Sequence, residues 1–373
     1  MKVILQVSTG LFDRCTAADT EDTGRRLEKL FRRLPVRGVI YGWGKTDGLF
    51  ERILEVTRRH GAEAWLWLPV FADIRDPAHA DPMALFGTEN AGNVRTSPGE
   101  EFHFVCPASE KNRNQVMEAY EALTAGCGPD GVFLDRIRYP SAVRGAVYFY
   151  GCRCGICRER LNAAGMDPEA FRRRIGPAES LDGILPERLE NGRYHYRDPD
   201  PERLSAVKRS TITEAVAWYS EAFHRRGIRI GVDTFAPALA DLVGQDLHAL
   251  MPMVDMMKPM MYFRTLAPAG IPCETQAYGK PLSNRLSALW GREIRDPGSM
   301  APQLRSLPDS GGKVCPGIEV NRIPGLCEPD GASLREAIRG IRAGGCDTAV
   351  LSWNVLQARE EEIRELERIL KEG

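Results

Sequence analysis

The chain has 373 residues, 43% of them apolar, and its 50 Lys and Arg against 51 Asp and Glu leave a net charge of -1. That much apolar side chain fills a core, and the balanced charge gives no electrostatic reason to expect a nucleic acid or an anionic membrane as partner. The opening MKVILQVSTG holds an apolar run too short for a secretory signal, and no later run approaches the ~20 residues that span a bilayer, so a soluble, cytoplasmic protein is expected.

Short apolar runs rich in β-branched and aromatic residues recur at residues 3–7, 36–41, 64–71, 132–137, 228–234, 256–263, 314–320 and 348–353. Helical periodicity occupies residues 24–34, 49–60, 112–123, 203–226, 334–342 and 358–370. Glycines that stop helices stand just ahead of several strands: Gly61, Gly126 and Gly128, Gly227, and Gly344 with Gly345. Strand and helix alternate throughout, and the alternation predicts an α/β fold of the (β/α)8 barrel type, a single domain over residues 1–373. About 60 residues separate the third and fourth strands and about 90 the fourth and fifth, far above the usual strand-to-helix connection. Both insertions are expected over the catalytic face, with residues 141–202 forming a cap segment and not an independent domain.

The ten cysteines suit a reducing compartment better than a disulfide framework. Cys152, Cys154 and Cys157 form a CxCxxC cluster whose sulfurs can share one tetrahedral ion, and thiolates are ligands that suit zinc. The fourth ligand is expected to be Cys106, with His195 as the alternative. A closed four-ligand site holds a loop together and does no chemistry, so structural zinc is the only cofactor expected and no organic cofactor is. The remaining cysteines, Cys15, Cys127, Cys273, Cys315, Cys327 and Cys346, read as small apolar residues.

The tract Gly131-Val132-Phe133-Leu134-Asp135-Arg136-Ile137-Arg138-Tyr139-Pro140 runs an apolar strand straight into a carboxylate, two guanidiniums and a phenol. Parallel barrels build their active sites at that edge. Asp233 and Glu319 end two further strands, Lys258 and Tyr262 come from the sixth, Asn321 lies just past the seventh, and Trp353 ends the eighth. Aromatic faces stack on the C–H surface of a sugar while amides and charged groups bond its hydroxyls, and glycosidic cleavage needs a pair of carboxyl groups. A carbohydrate is therefore the expected partner. The Met-rich stretch from Met251 to Met261 reads as core packing.

Cys106-Pro107 ahead of a helix, Asp130 to Pro140, and the CxCxxC segment follow one another in that order. Val232-Asp233-Thr234-Phe235-Ala236-Pro237, Gly244-Gln245-Asp246, Val254-Asp255 with Lys258-Pro259-Met260-Met261-Tyr262, and Gly317-Ile318-Glu319 come after them. Together these motifs resemble the family-10-like hypothetical glycosyl hydrolases over residues 100 to 355. The resemblance implies a barrel acting on carbohydrate with Asp135 as the leading site residue. Many relatives carry a second acid directly after that aspartate, where this chain has Arg136, so the catalytic partner must come from another strand.

The expected activity is glycoside hydrolysis by Asp135 and Glu319, with Asp233 as reserve partner and Arg138, Lys258, Tyr262, Asn321 and Trp353 lining the subsites. Asp135 is expected to be the nucleophile or an ionised stabiliser beside Arg136 and Arg138, and Glu319 the acid whose pKa burial raises. The alternative is a carbohydrate-binding barrel without catalysis. A third reading is a zinc-containing tRNA base-exchange enzyme, disfavoured by the position of CxCxxC after the fourth strand and by the absence of a basic balance.

Overall fold

A computed structural model describes the chain except residues 11–19, 47, 87–94, 98–99, 127, 177–179 and 373. Eight parallel strands close into a barrel: β1 (Lys2–Ser8), β2 (Val36–Gly42), β3 (Glu63–Pro69), β4 (Gly131–Asp135), β5 (Arg229–Phe235), β6 (Met256–Met260), β7 (Gly317–Glu319) and β8 (Thr348–Ser352). Each pairs with the next, and β8 closes on β1. The expected (β/α)8 architecture is the observed one. Cys15 and Cys127 lie outside the described residues.

The predicted strands agree with the observed ones in place and run longer at some C-terminal ends. β4 stops at Asp135 because Arg136 turns the backbone into the left-handed region, with φ 55°, which breaks the ladder. A helix at Ile271–Leu289 between β6 and β7 escapes the sequence pattern because Pro272, Gly279 and Pro281 punctuate it. It breaks at Gly279, whose φ of 78° only glycine adopts freely. Among the described residues no helix is long and apolar enough to cross a membrane.

Alternation along the strands builds the barrel interior in layers. Ile4, Ile40, Trp65, Phe133, Met256, Cys315 and Val350 pack together as one buried apolar cluster inside the barrel. Two residues further along the same strands stand Gln6, Trp67, Asp135, Lys258 and Ser352, on the same inward face and one layer nearer the C-terminal rim. The apolar layer therefore hands over to a polar one within a single strand repeat. Burying an aromatic such as Phe133 stabilises the fold by ~1.5–3 kcal/mol, which sets a rigid floor under the polar groups. Gly317 makes room for one of them, since a Cβ there would meet Lys258 Cε at 2.5 Å.

The insertion after β3 contains a short ribbon, Arg95–Ser97 with Glu100–Glu101, and returns through Phe104 and Val105, which bridge to Ala72 and Pro82. The one after β4 contains helices Gly155–Ala163 and Pro168–Ile175 and a second ribbon, Arg188–Glu190 with Arg193–His195. Most of the Met-rich stretch is core: Met251, Met256, Met257, Met260 and Met261 are buried.

Candidate active site

A cleft of about 550 Å³ opens at the C-terminal rim of the barrel. Its floor is polar, with Gln6, Ser8, Asp135, Asp233 and Lys258, and its walls are aromatic, with Trp43, Trp67, Phe102, Tyr262 and Trp353. Six of the sequence-predicted site residues meet there: Asp135, Asp233, Arg138, Lys258, Tyr262 and Trp353.

Asp135 and Asp233 come from neighbouring strands. Leu134 of β4 is in register with Val232 of β5, so the two aspartates follow side by side. Asp135 Oδ2 accepts from Trp67 Nε1 at 3.0 Å and Oδ1 from its successor's backbone N–H, that of Arg136, at 2.6 Å. Lys258 Nζ donates to Asp233 Oδ2 at 2.9 Å, and Asp233 Oδ1 is buried with no partner. Burial raises the pKa of Asp135 against the opposing pull of Lys258 and the Trp67 hydrogen bond. Burial, aided by the nearby Asp135, pushes Asp233 up to about 7 although Lys258 pulls it down. Burial works against the Lys258 ammonium, but the Asp233 carboxylate outweighs it and holds Lys258 above its ordinary value. Asp233 therefore titrates near neutrality while its carboxylate form favours the Lys258 ammonium beside it.

The two arginines after Asp135 are sandwiched by rings. The Arg136 guanidinium lies 4.4 Å from the Trp43 ring centre and 4.1 Å from that of Phe102, and it is ion-paired with Asp73. Arg138 lies between Phe104 at 5.1 Å and Phe235 at 4.4 Å, and donates to the Tyr139 carbonyl. Such stacking holds a guanidinium planar and in place. Arg136 serves Asp73, whereas Arg138 contributes charge attraction to both cleft aspartates.

Glu319 and Asn321 are elsewhere. Among the described residues neither lines the cleft. Glu319 lines a much smaller pocket with Phe263, Arg264, Met300 and Leu334, where burial pushes it up to about 7. Its Oε1 accepts from the Arg264 backbone N–H at 2.8 Å and from Thr265 Oγ1 at 3.1 Å. Glu319 thus ties the loop after β6 to β7. Asn321 Oδ1 accepts from the backbone N–H groups of Trp353 and Asn354 at 2.8 and 2.9 Å, which sets the turn that presents Trp353. Trp353 stands edge-on to Tyr262, with ring centres 5.8 Å apart.

Trp43, Trp67, Phe102, Gln6 and Ser8 were not legible as site residues from sequence. The usable signal was position: Trp67 is the penultimate residue but one of β3, and Trp43 follows the last residue of β2, both at the rim that carries chemistry in barrels.

The four cysteines Cys106, Cys152, Cys154 and Cys157 converge, with all four sulfurs within 4.8 Å of one another. Cys106 Sγ is 3.5 Å from those of Cys154 and Cys157. Four ligands at ~2.3 Å in a tetrahedron place sulfurs about 3.8 Å apart, so the cluster has the dimensions of a metal site. His195, the alternative fourth ligand, bonds instead to Glu202 at 3.0 Å and is not part of the cluster. Cys106 joins the first insertion to the second.

No protein-family model matches the sequence, and no curated protein matches it either. Among solved structures, the chain is similar to the PgaB (BpsB) glycoside hydrolase domain from Bordetella bronchiseptica, at 14% identity and a TM-score of 0.56, covering 99% of both chains. It is also similar to the catalytic domain of β-amylase from Paenibacillus polymyxa, at 12% identity and a TM-score of 0.55, covering 100% of this chain and 98% of that one. At these identities the likeness establishes a shared barrel fold, one that these glycoside hydrolases also use.

Proposed function

We propose that the cleft hydrolyses a glycosidic bond, with Asp135 and Asp233 as the carboxyl pair. The observation that carries this reading is the placement of two carboxyl groups, Asp135 half-buried and Asp233 buried, side by side on β4 and β5 in an aromatic-walled cleft, the second titrating near neutrality. The rings suit the apolar face of a sugar, and Gln6, Ser8 and Arg138 suit its hydroxyls. Asp135, held by two N–H donors, is the nucleophile. Asp233, with Oδ2 on Lys258 and Oδ1 free of partners, is the proton carrier.

In the first step Asp233 gives its proton to the glycosidic oxygen as Asp135 bonds to the anomeric carbon and the leaving alcohol departs. In the second, Asp233 takes a proton from water, whose oxygen displaces Asp135. Adjacent strands lie ~4.8 Å apart, close to the ~5–5.5 Å carboxyl spacing of retaining enzymes and well short of the inverting range. Retention of anomeric configuration is the expected outcome. This revises the pairing expected from sequence: Glu319 passes from proton donor to loop clasp, and the reserve partner Asp233 takes its place. The resemblance to the family-10-like hypothetical glycosyl hydrolases points to the same class of chemistry. The second reading, sugar binding without turnover, draws on the Lys258 contact that occupies one oxygen of Asp233.

A hydrolysis screen over aryl glycosides and oligosaccharides, with Asp135→Asn, Asp233→Asn and Glu319→Gln in parallel, tests the assignment. Turnover lost in both aspartate variants and kept in Glu319→Gln supports it. Turnover that survives Asp135→Asn refutes it, and sugar binding with no turnover on any substrate selects the binding-only reading.

The cysteine cluster is proposed to hold structural zinc, with Cys106, Cys152, Cys154 and Cys157 as its complete ligand set. A closed site of this kind cross-links the loops that present Phe104 and Arg138 and takes no part in the reaction. The eight free cysteines among the described residues fit a reducing, cytoplasmic setting.

A further inference from the structure

The cleft has two unlike halves. The floor and walls carry the acids and the aromatic rings, whereas the roof consists of Ala267-Pro268-Ala269 from the loop after β6 and Ile323-Pro324-Gly325-Leu326 from the loop after β7. No roof side chain carries a hydrogen-bonding group or an aromatic ring. Much of the roof backbone is already engaged within the protein. Ala269 N–H donates to Glu274 Oε1 at 2.8 Å, Ile323 N–H to the Cys327 carbonyl at 2.7 Å, Gly325 N–H to Glu328 at 2.9 Å, and Leu326 N–H to the Ile323 carbonyl at 3.0 Å. Pro268 and Pro324 have no N–H to give. The carbonyls of Ala267, Ile323 and Leu326 already accept from Gly270, Leu326 with Cys327, and Leu266.

A sugar ring pressed against this surface would lose water from its hydroxyls and meet no side-chain partner, a desolvation cost of about 1–3 kcal/mol for each group left stranded. An alkyl or aryl group pays no such cost and gains about 25 cal/mol for each Å² removed from water. The apolar surface also continues outward. Of the four large hydrophobic residues that stand exposed among the described residues, two are at this mouth: Leu266, 56% exposed and next to Ala267, and Ile323, 39% exposed. The two loops are joined into one surface by the Leu266 N–H to Leu326 carbonyl bond at 2.7 Å and by the bridge between Thr265 and Cys327.

Resting on the glycosidase reading, we infer that the roof is the subsite for an apolar aglycone, so that the substrate is a glycoside whose leaving group is an alkyl or aryl alcohol and not a second sugar. The sugar ring lies on the floor against Asp135 and Asp233, and the aglycone lies under Pro268, Ile323 and Leu326.

The test is a series of methyl, butyl and hexyl glycosides of glucose, galactose and N-acetylglucosamine, titrated into the protein with the fluorescence of the cleft tryptophans as readout, beside the matching disaccharides. Affinity is expected to rise by about fourfold per added methylene until the roof is covered, and the disaccharides are expected to bind more weakly than the hexyl glycosides. Ile323→Asn and Leu326→Ser are expected to flatten this slope. A flat series, disaccharides that bind more tightly than hexyl glycosides, a slope that both variants preserve, or no binding by any member overturns the inference. The readout is binding, so the two readings fail separately. A steep series with no turnover on any substrate removes the hydrolase assignment alone, and turnover with a flat series removes the aglycone subsite alone.

Discussion

Replacing Lys258 by Met keeps the length of the side chain and removes its charge from the base of the cleft. Lys258 is fully buried and Asp233 is 3% exposed, at 2.9 Å from each other, so the carboxylate left behind has no solvent to turn to. Stranding one member of a buried ion pair costs about 3–5 kcal/mol when the survivor stays charged. Asp233 has an escape, because its pKa already sits at about 7 and loss of the cation raises it further. Its folded pKa lies above the unfolded value of ~3.9, so the native state holds the extra proton at low pH and gives it up as pH rises through the folded value. Destabilisation by Lys258→Met is therefore expected to be smallest at pH 5.5, where Asp233 is protonated with or without the lysine, and to grow by ~1.4 kcal/mol between pH 7 and pH 8 as only the wild type gives up the proton. Urea unfolding followed by tryptophan fluorescence at both pH values measures it, and Lys258→Met combined with Asp233→Leu should recover most of the loss at pH 8. An equal loss at the two pH values, or a double variant as unstable as the sum of the single ones, would refute the reasoning.

Asp135→Asn is expected to lower kcat on an aryl glycoside by roughly a thousandfold or more with KM little changed, since the amide keeps the Trp67 contact but cannot form the covalent intermediate. The first-formed sugar should keep its anomeric configuration, and an inverted product in a proton NMR time course would contradict the side-by-side aspartates. Burial holds Glu319 at about 7 in the fold, above the ~4.3 of an unfolded chain, so its contribution to stability is complete at low pH and is lost as pH rises from about 4.3 through 7. Glu319→Gln should remove that slope and make the protein more stable than wild type above pH 7.5, and thermal melts from pH 4.5 to 8 that keep the wild-type slope would show the argument to be wrong. The purified protein is expected to carry about one zinc per chain, bound by four thiolates, and Cys106→Ser to lose it together with several degrees of melting temperature. Full metal content by mass spectrometry in that variant would count against the four-cysteine site.

Much of the architecture was legible in the sequence because its signals are local. A strand such as Val132-Phe133-Leu134-Asp135 declares itself by apolar run, inward alternation and a polar residue at the end, and eight such runs separated by helical periods have few ways to pack. The same locality revealed Asp135, Asp233, Lys258, Tyr262 and Trp353 as rim residues, and the crowding of Cys152, Cys154 and Cys157. Tertiary structure alone decided which of these act together, because their contacts join residues far apart in the chain. Trp67 bonds Asp135 across 68 residues and Cys106 meets Cys154 across 48, distances over which one sequence carries no pairing signal. Glu319 shows the limit most clearly. Its place at the end of β7 makes it more promising than Asp233 on paper, but the fold brings the backbone of Arg264 and the hydroxyl of Thr265 to its carboxylate and turns it into a clasp between loops. A strand end specifies that a side chain reaches the rim, and the loops that fold over it decide whether that side chain meets the cleft or the protein.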